Sequence, residues 1–149
     1  GQDFLRYMAE LNEQDYSEDK ALEVLSILDL DSDALIKPVR KYSKGMAQKL
    51  GLATCFLNRK KLLILDEPMS GLDPMARSRL KQYLKELKST GLTLFFSTHT
   101  LTDIEELCDV VVILHDGKVC FCGPPKECNN KYQSENLETA YLKAIGAEE

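Results

Sequence analysis

Three short apolar runs in the second half of the sequence limit what the chain can fold into. They are LLIL (62–65), LTLFF (92–96) and VVVIL (110–114), and each is apolar at almost every position rather than at every second one. Runs of this kind predict strands that are covered on both faces. Because segments with helical periodicity separate them, we predict an α/β fold in which a parallel sheet is flanked by helices.

Local signals place the other elements of this half. Asp73 followed by Pro74 is a typical helix cap and first-turn pair, which predicts a helix from Pro74 to about Ser89. Asp-Gly at 116–117 predicts a tight hairpin turn, because both residues accept a positive φ. Three further elements are expected: a short helix that ends at Cys108, a strand at 119–123 and a last helix near 137–145.

The pattern up to residue 58 is helical throughout. Amphipathic helices are predicted at 4–11 and 21–30, and the apolar face of the first would carry Phe4, Tyr7, Met8 and Leu11. Ser43 is well placed as the N-cap of a third helix that ends near Asn58.

Polar side chains follow two of the apolar runs, at the point where each predicted strand ends. Asp66 and Glu67 come directly after LLIL, and His99 follows LTLFF within the segment STH. Since ligands bind at the carboxyl ends of strands in open parallel sheets, these residues are candidates for one site. Asp66 suits Mg²⁺, Glu67 could orient or deprotonate a water, and His99 could contact a γ-phosphate. Taken singly, Asp66 also fits a turn residue and His99 an ordinary histidine.

The segment YSKGM (42–46) offers a different device. Ser43 begins a helix and Gly45 follows in its first turn, so free backbone amides would line up with the positive end of the helix dipole. A glycine also lets an anion approach the backbone closely. These residues therefore fit a phosphate-binding site, and they fit an ordinary helix cap as well.

Charge and cysteine content exclude several classes of function. The net charge is -5 with acids and bases interspersed, so we predict no nucleic-acid ligand. The apolar runs are far shorter than the ~20 residues that cross a bilayer. Five cysteines without a CxxC pair indicate a reduced, cytosolic setting. Cys120 and Cys122 would share one face of a strand, which suits either a metal or small apolar packing, and we assign no metal to them.

Taken in order, these segments resemble the motifs of the ATP-binding cassette (ABC) ATPases. YSKGM resembles the signature motif, LLILDE the Walker B strand with catalytic Glu67, SGLD (70–73) the D-loop, and STH the switch histidine at His99. Residues 1–58 look like the family's helical subdomain, and residues 59–149 look like the C-terminal part of its ATPase core. The resemblance implies a P-loop NTPase-type parallel sheet flanked by helices, without the P-loop strand.

The resemblance also implies cofactors, site residues and partners. The cofactors would be ATP and Mg²⁺, with the metal on Asp66 and catalysis assisted by Glu67 and His99. The positions that would contact nucleotide are Ser43, Lys44, Gly45, Met46, Asp66 and Asp73. A second ATPase subunit would bind head to tail, and a membrane permease would couple hydrolysis to transport, at the cytoplasmic face of the plasma membrane. A signature written YSKGM is similar to those of exporters.

The sequence departs from the family pattern at three points. Lys44 replaces the first glycine of the usual LSGGQ, and Met46 replaces its glutamine, which puts the glutamine's contact to the nucleotide sugar in question. No GxxxxGK[ST] occurs, so no P-loop is present to cradle phosphates. We therefore expect a C-terminal fragment that is inactive alone. A missing strand between those at 92–96 and 110–114 would leave unpaired edges, which predicts self-association.

Two other classes of function compete with transport. An ABC ATPase that moves no solute would act in DNA repair or translation, although the acidic balance and the lack of a basic arm argue against it. A non-catalytic module could instead use the helices at 4–30 to dock a partner.

Overall fold

The computed structural model describes residues 1–58 and 60–147, and the chain divides into two compact units, Gly1–Ser97 and Thr98–Glu149. The predicted division into 1–58 and 59–149 stays a prediction, and residues 59, 148 and 149 of that second segment lie outside the described residues. The first unit holds four helices, two 3₁₀ turns and two strands: α1 (Gln2–Leu11), α2 (Glu18–Ile27), Ser32–Leu35, Val39–Lys41, α3 (Lys44–Leu57), β1 (Leu62–Leu65), α4 (Pro74–Ser89) and β2 (Thr93–Phe96).

Side-chain caps set the starts of α2, α3 and α4. Ser43 caps α3 and Asn58 is its C-cap, as predicted, while Asp73 caps α4, which has the predicted bounds. The helices and strands bury one apolar core, in which the rings of Phe56 and Tyr83 meet edge to face at 5.0 Å. Its fully buried members include Leu5, Leu25, Leu28, Leu50, Leu80 and Leu84.

The predicted apolar face of α1 is wrong. Leu5 and Ala9 are the buried residues of this helix, whereas Tyr7 and Leu11 are exposed, Leu11 by 60%. Both sets recur at helical spacing, so periodicity alone does not choose between them. Packing against α3 and the first 3₁₀ turn makes the choice.

β1 and β2 form a parallel pair in the register Leu62↔Thr93 to Leu65↔Phe96, which confirms the predicted parallel strands. The prediction that both faces are covered is wrong. Leu63 and Leu65 are buried, but Ile64 is 69% exposed on the opposite face, and Leu62 and Phe95 are exposed too. The reason is that the helices of this unit cover one face of the pair.

The second unit contains α5 (Leu101–Leu107), β3 (Val111–His115), β4 (Lys118–Gly123), α6 (Pro125–Lys131) and α7 (Leu137–Ala144). The predicted hairpin is present: β3 and β4 pair antiparallel, and Asp116 and Gly117 have φ of 48° and 72° at the turn. The helix α6, which begins at Pro125, was not predicted. A small core consists of Ile104, Val111, Ile113, Phe121, Cys128, Leu137 and Ala140.

The strand predicted from VVVIL is also covered on one face only. Val111 and Ile113 are buried while Val112 and Leu114 are exposed, because β3 alternates between the core of its unit and solvent. In the part of the chain that the structure describes, β3 pairs with β4 and with no parallel strand. Within those same residues, no helix is long and apolar enough to cross a membrane.

Candidate functional site

The ends of β1 and β2 bring three polar residues together. The register pairs Leu65 with Phe96, so the next residues, Asp66 and Ser97, lie side by side, and the Ser97 amide donates to the Leu65 carbonyl at 3.0 Å. The Ser97 hydroxyl donates a short hydrogen bond to Oδ1 of Asp66. It also accepts one from the Glu67 amide at 2.9 Å. One hydroxyl therefore contacts both predicted site acids.

The backbone of Glu67 is held in an uncommon conformation. Its φ is 44°, in the left-handed region, which costs about 1–3 kcal/mol for a non-glycine residue. Hydrogen bonds hold the residue on both sides: Ser97 accepts from its amide, and the Ser70 amide donates to its carbonyl at 3.0 Å. Nε2 of Gln48, on α3, lies 3.4 Å from the carbonyl oxygens of Glu67 and Pro68. The turn after β1 is thus fixed from three directions.

Asp66 fits a magnesium ligand of the kind that shares the ion with phosphate. Its carboxylate is exposed at the strand end, and Ser97 occupies Oδ1 but not Oδ2. Among the described residues no three His, Cys, Asp or Glu side chains form a cluster that could hold a metal by themselves. Mg²⁺ commonly takes one or two carboxylates plus phosphate oxygens and waters, so a single acid is sufficient here.

The start of α3 is open to solvent and close to the loop that follows β1. The Ser43 hydroxyl accepts from the Met46 amide at 3.2 Å, and both Ser43 and Lys44 are exposed. A Cβ on Gly45 would lie 3.1 Å from the Gly71 carbonyl oxygen, so this position requires a small residue. The half-buried Met46 completes the turn. The predicted phosphate-binding site is therefore not buried in the core of its own unit.

Asp73 serves as a cap in this structure. Its Oδ1 accepts from the Met75 and Ala76 amides, each at 3.0 Å. The hydrogen bond from the Ala76 amide, helped by the charge of Lys49 and by the Met75 amide, holds the pKa of the Asp73 carboxyl below its usual range against the opposing effect of desolvation. Its predicted contact with nucleotide stays a prediction.

A charge network that the sequence did not reveal includes Asp73. Nζ of Lys49 on α3, whose side chain is 10% exposed, donates to the Asp29 carbonyl at 2.8 Å and lies 3.7 Å from Oδ2 of Asp73. Arg79 on α4 pairs with Oδ1 of Asp29 at 3.1 Å. The network ties α3 and α4 to the residues that follow α2.

His99 belongs to the second unit. It is exposed and lies just before Thr100, the N-cap of α5, whose amide donates to the Thr98 hydroxyl at 3.1 Å. Its predicted catalytic role stays a prediction.

Sequence reasoning missed Ser97, Gln48 and Lys49. The rule that selected Asp66, a polar residue directly after an apolar run, applies to Ser97 as well, so a signal was available there. Gln48 and Lys49 carried no such signal, because their partners are distant in sequence.

Residues 2–102 match a family model for an AAA domain. The description of that model also names the AbiEii toxin of a Type IV TA system. The chain is 40% identical over 127 residues to an uncharacterized ABC transporter ATP-binding protein of Nostoc sp. (strain PCC 7120), covering 81% of this chain and 38% of the relative. The lantibiotic transport ATP-binding protein SrtF of Streptococcus pyogenes is 40% identical over 73% of this chain and 45% of the relative. A fluoroquinolones export ATP-binding protein of Mycobacterium tuberculosis is 40% identical, with 71% and 35% covered. The chain thus spans less than half of these relatives.

Two solved structures have the same fold. An ATP-binding subunit of an ABC transporter superposes with a TM-score of 0.78 at 31% identity, over 96% of this chain and 61% of that one. A dimeric ATP-binding cassette in a post-hydrolysis state, bound to ADP and Pi, gives 0.65 at 22% identity, over 74% and 49%. These similarities confirm the predicted P-loop NTPase-type α/β fold.

Proposed function

Given that the chain belongs to the ABC ATP-binding proteins, with an AAA-type domain over residues 2–102, we propose that it forms part of a subunit that binds and hydrolyses ATP to drive export across a membrane. One observation carries the proposal: Asp66 and Glu67 meet Ser97 at the carboxyl edge of the parallel pair. That is where the chemistry of an open α/β sheet takes place.

Asp66 and Glu67 at this edge, and His99 in the second unit, would have distinct tasks. Asp66 would hold Mg²⁺, which when bound neutralises charge on the phosphate oxygens. Glu67 would orient the attacking water and accept its proton. His99 would donate a hydrogen bond to the γ-phosphate. The division of labour follows from position, since adjacent residues at a strand end point in different directions.

The open start of α3 supports a shared nucleotide site. The residues Ser43 to Met46 would contact the phosphates of an ATP bound by a second subunit, because Ser43 and Lys44 are exposed at the start of the helix. Asp73 would border the same interface next to Gly71. Two subunits would therefore close head to tail on nucleotide. That a cassette of the same fold is dimeric with ADP and Pi bound is consistent with association of two subunits.

The other partner in this proposal is a membrane permease. The relatives named for lantibiotic transport and for fluoroquinolone export support it. With such a partner the subunit would work at the cytoplasmic face of the plasma membrane. The 149 residues alone should hydrolyse no ATP, because they contain no GxxxxGK[ST].

The test is Glu67→Gln in the intact protein, meaning the whole natural polypeptide that contains these residues. Turnover should fall by about 10²–10⁴-fold, since a general base is lost, while ATP-dependent dimers persist. ATPase rates and size-exclusion chromatography with ATP measure the two effects. The matched control is Glu10→Gln, an exposed acid of α1, which should leave both unchanged. Full turnover in Glu67→Gln would refute the role, and an intact protein without ATPase activity would favour a binding module.

A further inference from the structure

Ser97 lies at the centre of the arrangement around the two acids, and the chemistry of its partners fixes the direction of each hydrogen bond. The Glu67 amide can only donate, so the Ser97 oxygen accepts there. An ionised Asp66 can only accept, so the single hydroxyl proton of Ser97 points to Oδ1. The rotor of this serine therefore has one orientation that satisfies both neighbours.

The backbone of Ser97 is fixed as well. Its amide donates to the Leu65 carbonyl at 3.0 Å, which continues the parallel ladder by one step beyond β2. The hydroxyl is thus presented from a strand end, and strand ends position a side chain more accurately than a free loop does.

Two consequences follow for the acids. With Oδ1 engaged by Ser97, Oδ2 is the oxygen of the exposed Asp66 that is left for a cation. With its amide bound, Glu67 is held at its left-handed φ of 44°.

We propose that Ser97 is a positioning residue for the proposed ATP hydrolysis: through one hydroxyl it orients Asp66 toward the metal and holds the Glu67 peptide in place. This inference rests on the proposed function for its metal part. Residues that hydrogen-bond to a metal-ligating carboxylate typically change metal affinity or activity by about 10–100-fold when they are removed. The effect should be concentrated in the metal dependence, since Ser97 is not expected to touch nucleotide.

The experiment compares Ser97→Ala, Ser97→Thr and Thr93→Val in the intact protein. Thr93→Val removes a hydroxyl from the opposite end of β2 and serves as the matched control for strand stability. Three quantities are measured: the Mg²⁺ concentration that gives half-maximal ATPase rate, Mn²⁺ affinity by electron paramagnetic resonance with a non-hydrolysable ATP analogue, and hydrogen exchange of the peptide that contains Glu67, without ligand.

For Ser97→Ala we expect a rise of about tenfold or more in half-maximal Mg²⁺ and a matching loss of Mn²⁺ affinity. Exchange at Glu67 should also accelerate, because the hydrogen bond of its amide is lost. Ser97→Thr, which keeps the hydroxyl, should restore both properties to near wild type, and Thr93→Val should change neither.

The proposal is overturned if Ser97→Ala leaves metal dependence unchanged, even with faster exchange, because Ser97 would then be structural only. It is also overturned if Thr93→Val matches Ser97→Ala, or if Ser97→Thr fails to rescue. A wild-type protein without ATPase activity would count against the proposed function instead. Mn²⁺ affinity and hydrogen exchange would still decide the role of Ser97 in that case.

Discussion

The helices α3 and α4 of the first unit have N-cap residues with the same backbone conformation but different charge. Ser43 precedes α3 with φ -68° and ψ 164°, and Asp73 precedes α4 with φ -68° and ψ 165°. The neutral Ser43 hydroxyl accepts from one amide at 3.2 Å. The Asp73 carboxylate accepts from two amides at 3.0 Å and also faces Lys49.

The difference teaches which helix can receive an anion. The carboxylate of the N-cap residue Asp73 already offsets the positive end of the α4 dipole. The first turn of α3 carries no acidic residue and its cap is uncharged, so its dipole has no such internal partner. The same local geometry thus gives α4 a charged cap and α3 a neutral one, and only α3 has the electrostatics that the proposed phosphate contact needs. Three substitutions test this contrast.

The largest effect is expected from Ser43→Asp, which gives α3 the cap of α4. ATPase activity of the intact protein should fall by about a hundredfold, because like charges brought together at an interface cost several kcal/mol. Thermal unfolding should show equal or higher stability, since an acid at a helix N-terminus contributes about 0.3–1 kcal/mol. Ser43→Thr is the control and should retain activity. Normal turnover in Ser43→Asp would remove α3 from the nucleotide site.

A medium effect is expected from Gly45→Ala, which tests the close approach of α3 to the loop after β1. The new Cβ would meet the Gly71 carbonyl oxygen at 3.1 Å, so the loop should shift and ATPase activity should fall several-fold. Gly51→Ala is the matched control on the same helix, because no atom lies within 4 Å of its added Cβ. It should increase the free energy of unfolding by about 0.5–1 kcal/mol, measured by urea denaturation, with activity unchanged. Equal activities in the two variants would contradict the packing argument.

The smallest effect concerns the pH dependence of the Asp73 cap. Because hydrogen bonds and Lys49 lower the folded-state pKa of Asp73, its contribution to stability is complete above its unfolded-state pKa of about 4 and declines as pH falls through the lower folded-state value. Asp73→Asn should therefore lower the melting temperature slightly at pH 7 and progressively less below pH 4. A melting-temperature difference that grows on acidification would have the wrong sign.

The sequence predicted the two helix starts because their signals are local. Ser43 and Asp73 satisfy amides two or three residues away, so the bounds of α3 and α4 followed from the caps alone. The same holds for the hairpin turn at Asp116 and Gly117. The α/β class followed from the apolar runs.

The predictions that were wrong, and the contacts that were missed, depend on partners distant in sequence. The buried face of α1 depends on what α3 presents to Leu5, and the exposed faces of the strands depend on which helices cover them. Ser97 acquires its two hydrogen bonds only when the register of β1 and β2 is known. From the sequence alone, Lys49 would be expected to be a surface charge, and its ion pairs with Asp29 and Asp73 are known only from the fold.

The side chain of Gln48 connects α3 to the turn that contains Glu67 and Pro68. A helix rises 1.5 Å per residue, so the backbone of Gln48 lies ~7.5 Å along the axis from that of Ser43. Its two 3.4 Å contacts with the Glu67 and Pro68 carbonyls are near the limit of a hydrogen bond, and a displacement of a few tenths of an ångström would break or shorten them. A shift of α3 along its axis would therefore change the distance between Gln48 and the carbonyl of Glu67.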